Sequence, residues 1–185
     1  MPRLFFIRHG QTEANVKGIL TGTIETNLTE KGIDDAKNLA KELKEEFDFY
    51  YCSPLKRTQQ TLEAIKGDVN FIVDSRLTEV FSGDWQGKLK SELPEKEYIL
   101  YKKGLLNPPN GESLKDVDRR IKLFLEEMFT KYKKEDKILI VTHNAFMRNL
   151  KRLFISESKA DETKNLEIFK VDNEMYKQIG NNNKN

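Results

Sequence analysis

Apolar residues recur along this chain in two alternating periodicities. Residues 3–7 (RLFFI) form a short unbroken apolar run, which predicts a buried strand ending at Arg8-His9-Gly10. Thr29 suits a helix N-cap, and behind it Ile33, Ala36, Ala40, Leu43 and Phe47 recur at spacings of three and four, one face of a helix. Residues 48–52 (DFYYC) predict a second strand. Ser53-Pro54, a capping residue followed by proline, then opens a helix to about Lys66. The turn at Gly67-Asp68 leads to a third strand at 70–73. Residues 75–112 are irregular: Gly83, Gly87, Gly104 and Pro108-Pro109-Asn110-Gly111 mark loops, with one short helix between about 90 and 102. Ser113 and Asp116 have capping-box spacing ahead of a helical stripe of Leu114, Val117, Ile121, Leu125, Met128 and Tyr132. Residues 137–142 (KILIVT) are the clearest strand, apolar enough to be buried on both faces. After His143 comes a helix with Phe146, Leu150 and Leu153 on its apolar face, then a last strand at 166–171. The Asn- and Lys-rich tail over 172–185 is expected to fray.

The order β, α, β, α, β, irregular insertion, α, β, α, β predicts an α/β fold. The expected architecture is a three-layer α/β/α sandwich with a mostly parallel central sheet and a loop-rich lid over about 80–112. The 185 residues suit one domain over 1–185, with no internal repeat and no separating linker. Lys plus Arg number 32 against 30 acidic residues, a net charge of +2, too balanced for a dedicated nucleic-acid or anionic-membrane binder. A single cysteine, Cys52, excludes an internal disulfide and a cysteine-based zinc site. No apolar run resembles a signal sequence or a membrane span, so the protein is expected to be soluble and cytoplasmic.

In open α/β sheets, ligands bind beyond the carboxyl ends of the strands. Both histidines of the chain fall there: His9 directly follows the first strand and His143 follows KILIVT. Arg8 adjoins the first, Arg57 lies on the first turn of the helix after strand two, and Glu79 sits in the loop after strand three. Two imidazoles and two guanidiniums at one sheet edge suggest an oxyanion pocket, since guanidinium forks match phosphate oxygens. The adjacent arginines would repel a divalent cation, so neither a metal nor a cofactor is expected.

The same residues resemble the histidine phosphatase superfamily, in its phosphoglycerate-mutase-like branch. The resemblance rests on Arg8-His9-Gly10-Gln11-Thr12 with Asn15, Thr21-Gly22, Leu28 to Gly32, and Ser53-Pro54-Leu55-x-Arg57-Thr58. It continues through Leu77-x-Glu79, Gly83-x-Trp85-x-Gly87, Gly111-Glu112-Ser113 and Val141-Thr142-His143. It implies that His9 is a nucleophile that becomes phosphorylated, that Arg8, Arg57 and His143 hold the phosphoryl oxygens, and that Glu79 protonates the leaving group. Thr12, Asn15, Thr21 and Gly22 would be secondary substrate contacts. Asn144 stands where the family often has Gly, which brings its amide towards the pocket. Independent chemistry agrees: an attacking imidazole must be neutral, and neighbouring arginines disfavour its protonation. The lysines of 88–103 read as a solvated lid face, and Trp85 as a packing residue.

The expected function is a metal-independent phosphomonoesterase acting on a small phosphorylated metabolite. Three alternatives share its residues: a cofactor-dependent phosphoglycerate mutase, a phosphoprotein phosphatase and a non-catalytic phosphate-binding module. Only 63 residues separate Glu79 from His143, and the mutase-type segment with arginines for a substrate carboxylate is not recognisable, whereas Phe81 to Gly87 resembles the phosphatase subgroup. Nothing in Leu89 to Asn110 names the substrate, and neither monomer nor homodimer is favoured.

Overall fold

The computed structural model describes residues 1–155 and 163–182, the side chains of 178–182 excepted. Among the described residues there are five strands: β1 (Arg3–Arg8), β2 (Phe49–Cys52), β3 (Ile72–Val73), β4 (Lys137–Thr142) and β5 (Ile168–Val171). They form one sheet in the order β3-β2-β4-β1-β5, parallel except for the antiparallel edge pair β1–β5. The helices are α1 (Glu13–Val16), α2 (Glu30–Glu42), α3 (Lys56–Lys66), α4 (Glu95–Lys102), α5 (Leu114–Lys131), α6 (Asn144–Arg152) and α7 (Asn173–Asn182). The expected α/β architecture with a mostly parallel sheet is therefore present.

The unbroken apolar runs explain the three layers. Successive side chains of a strand point to opposite faces. On one face Leu4, Phe6, Ile138 and Ile140 meet Val117, Ile121, Phe124 and Met128 of α5 and Phe146 and Leu150 of α6. On the other, Phe5, Ile7, Leu139 and Val141 meet Ala36 of α2 and Leu62 and Ile65 of α3. Phe6 is fully buried, stacked on Phe146 and edge-on to Phe124, with both ring centroids 6.2 Å away.

The connections after β1 and β4 thus run to opposite faces, and a crevice opens between these neighbours at their carboxyl ends. Over that crevice lies the insertion. Its segment around residues 87–90 pairs with the loop after β1, through Gly87 N–H to Leu20 O (2.8 Å), Leu20 N–H to Lys88 O (2.9 Å) and Lys90 N–H to Gly18 O (2.9 Å). Gly83 (φ +51°) closes the insertion on itself, since a Cβ there would lie 2.0 Å from the Pro109 carbonyl oxygen.

Several boundaries differ from expectation. Thr29 caps α2 as predicted, but α2 stops at Glu42, and Phe47, beyond the helix, reaches the same core as an edge-on partner of Phe5. Helix α3 begins at Lys56 with Leu55 as its N-cap, not at Pro54. Ser113 does cap α5, though its hydroxyl bonds the Asp116 carboxylate directly instead of completing a reciprocal box. The four-residue α1 is too short to show a periodicity. Of the tail expected to fray over 172–185, Asn173–Asn182 form a helix with Tyr176 stacked on Phe129 at 4.3 Å, and residues 183–185 lie outside the described residues. No described helix is long and apolar enough to cross a membrane.

Because Phe6 joins the sheet to both α5 and α6, Phe6→Ala should cost about 3–5 kcal/mol in urea denaturation, and Phe6→Leu well under half of that. A loss below about 1 kcal/mol for the alanine variant would show that this contact does not unite the layers.

Candidate active site

Register brings the two histidines together. Arg8 is paired with Thr142 across the parallel β1–β4 ladder, so the next residues, His9 and His143, stand side by side. Their rings lie 5.3 Å apart, and the His9 N–H donates to Thr142 O (2.9 Å). His9 is 4% exposed and lines a cleft at this sheet edge. Its Nδ1 lies 2.8 Å from Gly10 O. A carbonyl can only accept, so Nδ1 carries the proton and Nε2 keeps its lone pair, with no hydrogen-bond partner among the described residues. Burial, reinforced by Arg57 and then Arg8, holds the imidazole well below its ordinary pKa, so it is neutral at pH 7.

Arg57 and His143 form the layer behind. The Arg57 side chain is buried and donates from Nη1 to Ile24 O (2.9 Å), from Nη2 to Gly22 O (2.8 Å) and from Nε to His143 Nδ1 (3.2 Å). Two of its five N–H groups remain uncommitted. Because Arg57 is always a donor, Nδ1 of His143 accepts and Nε2 carries the proton towards Ser53 Oγ (2.8 Å). Burial, Arg57 and then His9 hold His143 well below its ordinary pKa as well. Neither Arg57 nor His143 is among the residues that line the cleft.

Of the other expected residues, Arg8, Asn15, Thr21, Gly22, Glu79 and Asn144 do line the cleft. Arg8 donates from Nη1 to Thr163 O, while its buried Nε has no acceptor. Desolvation lowers its pKa to about 10, which leaves it cationic at pH 7. Thr12 does not face the cleft. It is buried and committed to a capping box on α1: its hydroxyl accepts from Asn15 N–H (3.1 Å) and its N–H donates to Asn15 Oδ1 (3.2 Å). Gly22 adopts φ +53°, and a Cβ there would meet Gln86 Oε1 at 2.1 Å.

Glu79 is held at the start of α6. Its Oε1 accepts from Val80 N–H (3.0 Å) and Phe146 N–H (3.1 Å), and Oε2 accepts from Ala145 N–H (3.1 Å). The last two are first-turn amides that α6 leaves unbonded, and a carboxylate is the acceptor that the helix dipole favours there. Three N–H donors leave one carboxylate lone-pair position open.

Lys90, Ser82, Tyr98, Tyr101 and Arg148 complete the polar wall, and no sequence motif singles them out. Lys90 thus corrects the view of the lid lysines as a purely solvated face: burial, then Arg8 and Arg148, lower its pKa. Trp85 is buried against Tyr98 and Tyr101, as a packing residue should be. Arg148 is legible in principle, since it lies four residues after Asn144 and so shares its helix face. Around the cleft, three cations (Arg8, Lys90 and Arg148) face one carboxylate, which suits an anionic ligand. Among the described residues no three His, Cys, Asp or Glu side chains are grouped so as to hold a metal ion.

The chain is 35% identical over 156 residues to phosphoserine phosphatase 1 of Hydrogenobacter thermophilus, covering 80% of this chain and 74% of that one. It is 34% identical over 165 residues to a 2,3-bisphosphoglycerate-dependent phosphoglycerate mutase of Parvibaculum lavamentivorans, covering 81% and 79%. Among solved structures, a mycobacterial glucosyl-3-phosphoglycerate phosphatase superposes with a TM-score of 0.80 at 25% identity, covering 92% of both chains. The sequence model of the histidine phosphatase superfamily (branch 1) matches residues 4–177. A neutral histidine at the end of β1, arginines around it and a carboxylate at the start of α6 therefore sit in a chain that belongs to the histidine phosphatase superfamily, branch 1, as an enzyme of the histidine phosphatase type.

Proposed function

We propose that this chain is a metal-independent phosphomonoesterase that hydrolyses a small phosphorylated metabolite through a phosphohistidine on His9. The observation that carries this reading is the state of His9: neutral, anchored through Nδ1–H to Gly10 O, with Nε2 free at a cleft lined by Arg8 and Glu79. In the first step Nε2 attacks phosphorus and the ester P–O bond breaks, while Glu79 in its acid form gives its proton to the departing oxygen. The open lone-pair position on Glu79 is where that proton would sit. In the second step the glutamate takes a proton from water, the water oxygen bonds to phosphorus, and the N–P bond breaks. Free phosphate leaves, with His9 neutral and Glu79 protonated again.

Phosphoryl transfer depends mainly on positioning and on neutralising the equatorial oxygens. Arg8 would meet them directly, and the two uncommitted N–H groups of Arg57 would do so from behind His9. His143, held by Arg57 and Ser53, would keep both groups in place. Asn15, Thr21, Gly22 and Asn144 would supply the remaining contacts. The mutase relative supports a second reading with the same first step, in which phospho-His9 returns its phosphoryl group to an organic acceptor instead of water.

Phosphate release from a panel of phosphomonoesters, in excess chelator and without bisphosphoglycerate, separates these readings. Hydrolysis should persist in chelator and fall about a thousandfold or more in His9→Ala. No release, with isomerisation of a phosphomonoester that needs an added bisphosphate, would establish the mutase instead, and near-normal turnover by His9→Ala would remove the nucleophile assignment. Glu79→Gln should slow alkyl phosphates by about 10²–10⁴-fold but aryl phosphates by less than tenfold, because aryl oxides leave without a proton. Equal losses on both would show that Glu79 is not the acid.

The two buried histidines also predict how stability varies with pH. Their folded pKa values lie well below the unfolded value near 6.5, so the unfolded chain binds more protons as pH falls. Stability should be fully present above about pH 6.5 and decline below it, by up to about 1.4 kcal/mol per pH unit for each histidine. Urea titrations at pH 7 and pH 5 test this, and equal unfolding free energies would show that the histidines are not held neutral.

A further inference from the structure

Arg148 is a cation for which the proposed hydrolysis has no use. It lies on α6, one turn beyond Asn144, and is only 4% exposed. Its guanidinium makes no hydrogen bond or ion pair among the described residues, and its buried Nε has no acceptor. What it does meet is the Tyr101 ring of α4, whose centroid lies 5.4 Å from Cζ. Stacking on a ring holds a guanidinium plane while leaving its N–H edge open. Burying a cation without a partner is costly, so an orphan of this kind calls for an explanation.

Two adjoining hollows share this residue. The inner one contains His9 and Glu79. The outer one, which contains neither, is lined by Tyr98, Lys102, Asn144, Thr163 and Asn165. Arg8, Tyr98, Asn144 and Arg148 line both. A molecule with its phosphoryl group at His9 that extends from the inner hollow into the outer one passes Arg148, and there it meets N–H donors with no acceptor among the described residues.

We propose that Arg148 is the centre of a second anion subsite, so that the phosphomonoester taken by this cleft carries a further anionic group, a carboxylate or a second phosphate, that docks on its guanidinium. This rests on the phosphomonoester reading, and it narrows the substrate class. Lys90 from the inner wall and Lys102 from the outer one add positive charge around the same spot. Arg148 acts here in specificity, not in the bond-breaking steps.

Binding, measured without turnover, tests the subsite independently of hydrolysis. Calorimetry on full-length His9→Ala protein would compare 3-phosphoglycerate with glycerol 3-phosphate, a pair differing in the carboxylate. A second arm would compare 1,3-propanediol bisphosphate with its monophosphate. At least one anionic partner should bind tenfold or more tightly than its match, and the arm that shows this identifies the group. Adding Arg148→Met should shrink that ratio to within about twofold, and Arg148→Lys should keep part of it, a control should the Met variant fail to fold. Equal affinities within both pairs while Arg148 is intact would overturn the proposal. So would a ratio that survives Arg148→Met, or an equal weakening of both members of a pair, which would place Arg148 on the phosphoryl group itself. Failure of the hydrolytic reading would show separately, as absence of His9-dependent phosphate release from the unmodified enzyme.

Discussion

The parallel pairing of β1 with β4 is the constraint on which the site depends. Each strand is buried on both faces, so its register is set by two hydrophobic surfaces at once. A slip of one residue would exchange the two cores, sending Phe6 towards α2 and α3 and Phe5 towards α5. The same register puts residue 9 beside residue 143, and it does so at the point where the following connections part to opposite faces. The crevice between them is therefore a product of the packing of the layers. The loop after β1 can carry Asn15, Thr21 and Gly22 to one side of His9, while α6 carries Asn144 and Arg148 to the other.

A second constraint is electrostatic. Buried cations raise the free energy of the empty protein unless acceptors meet them. Arg57 is met by the carbonyls of Gly22 and Ile24 and by His143, so it is fixed without a carboxylate that would cancel its field. That field helps to keep both imidazoles neutral. Arg8 is satisfied less completely, since its Nε is orphaned. Glu79, the one carboxylate among the described residues lining the cleft, is turned towards backbone amides and makes no ion pair with the arginines among the described residues. The result is a cleft whose cations keep their capacity for an incoming anion, which is the preorganisation that phosphoryl transfer needs.

Much of this is legible in the amino-acid sequence. Unbroken apolar runs at 3–7 and 137–142 announce strands covered on both sides, and the placement of His9, His143, Arg57 and Glu79 at strand ends follows from element order alone. What is not legible depends on contacts distant in sequence. Thr12 stands as a phosphate contact only through the family resemblance, and it is spent instead on the cap of a helix too short to show a period. Lys90 reads as solvated because nothing local reveals that its segment is paired to residues 18–20. The helical tail depends on Tyr176 finding Phe129, some fifty residues earlier in the chain. Arg148 is a different case: its spacing from Asn144 is plain, but an arginine among Phe146, Met147 and Leu150 is easily read as a helix-surface residue.

The proposed nucleophile, His9, and the proposed acid, Glu79, are positioned by different parts of the fold. His9 is held by the sheet, through Thr142 and through the close approach of the Gly10 loop to the first turn of α2, where a Cβ on Gly10 would meet Gly32 O at 2.8 Å. Glu79 is held by the helical layer opposite. Its loop is pinned by Arg120, which donates from Nη1 to Arg76 O (2.6 Å) and pairs through Nε with Glu112 (2.7 Å), and by Thr142 Oγ1 donating to Leu77 O (2.8 Å). Arg120 in turn lies over the Phe146 ring, which stacks on Phe6 of β1. The separation between imidazole and carboxyl is therefore transmitted through the Phe6–Phe146 contact and not through either loop alone. Thr142 belongs to both holdings, since its carbonyl anchors His9 and its hydroxyl anchors the loop of Glu79. A shift of β4 relative to α5 would move Glu79 with respect to His9 while leaving His9 in its neutral, anchored state, so the core between the layers sets the geometry of the site as well as the stability of the fold.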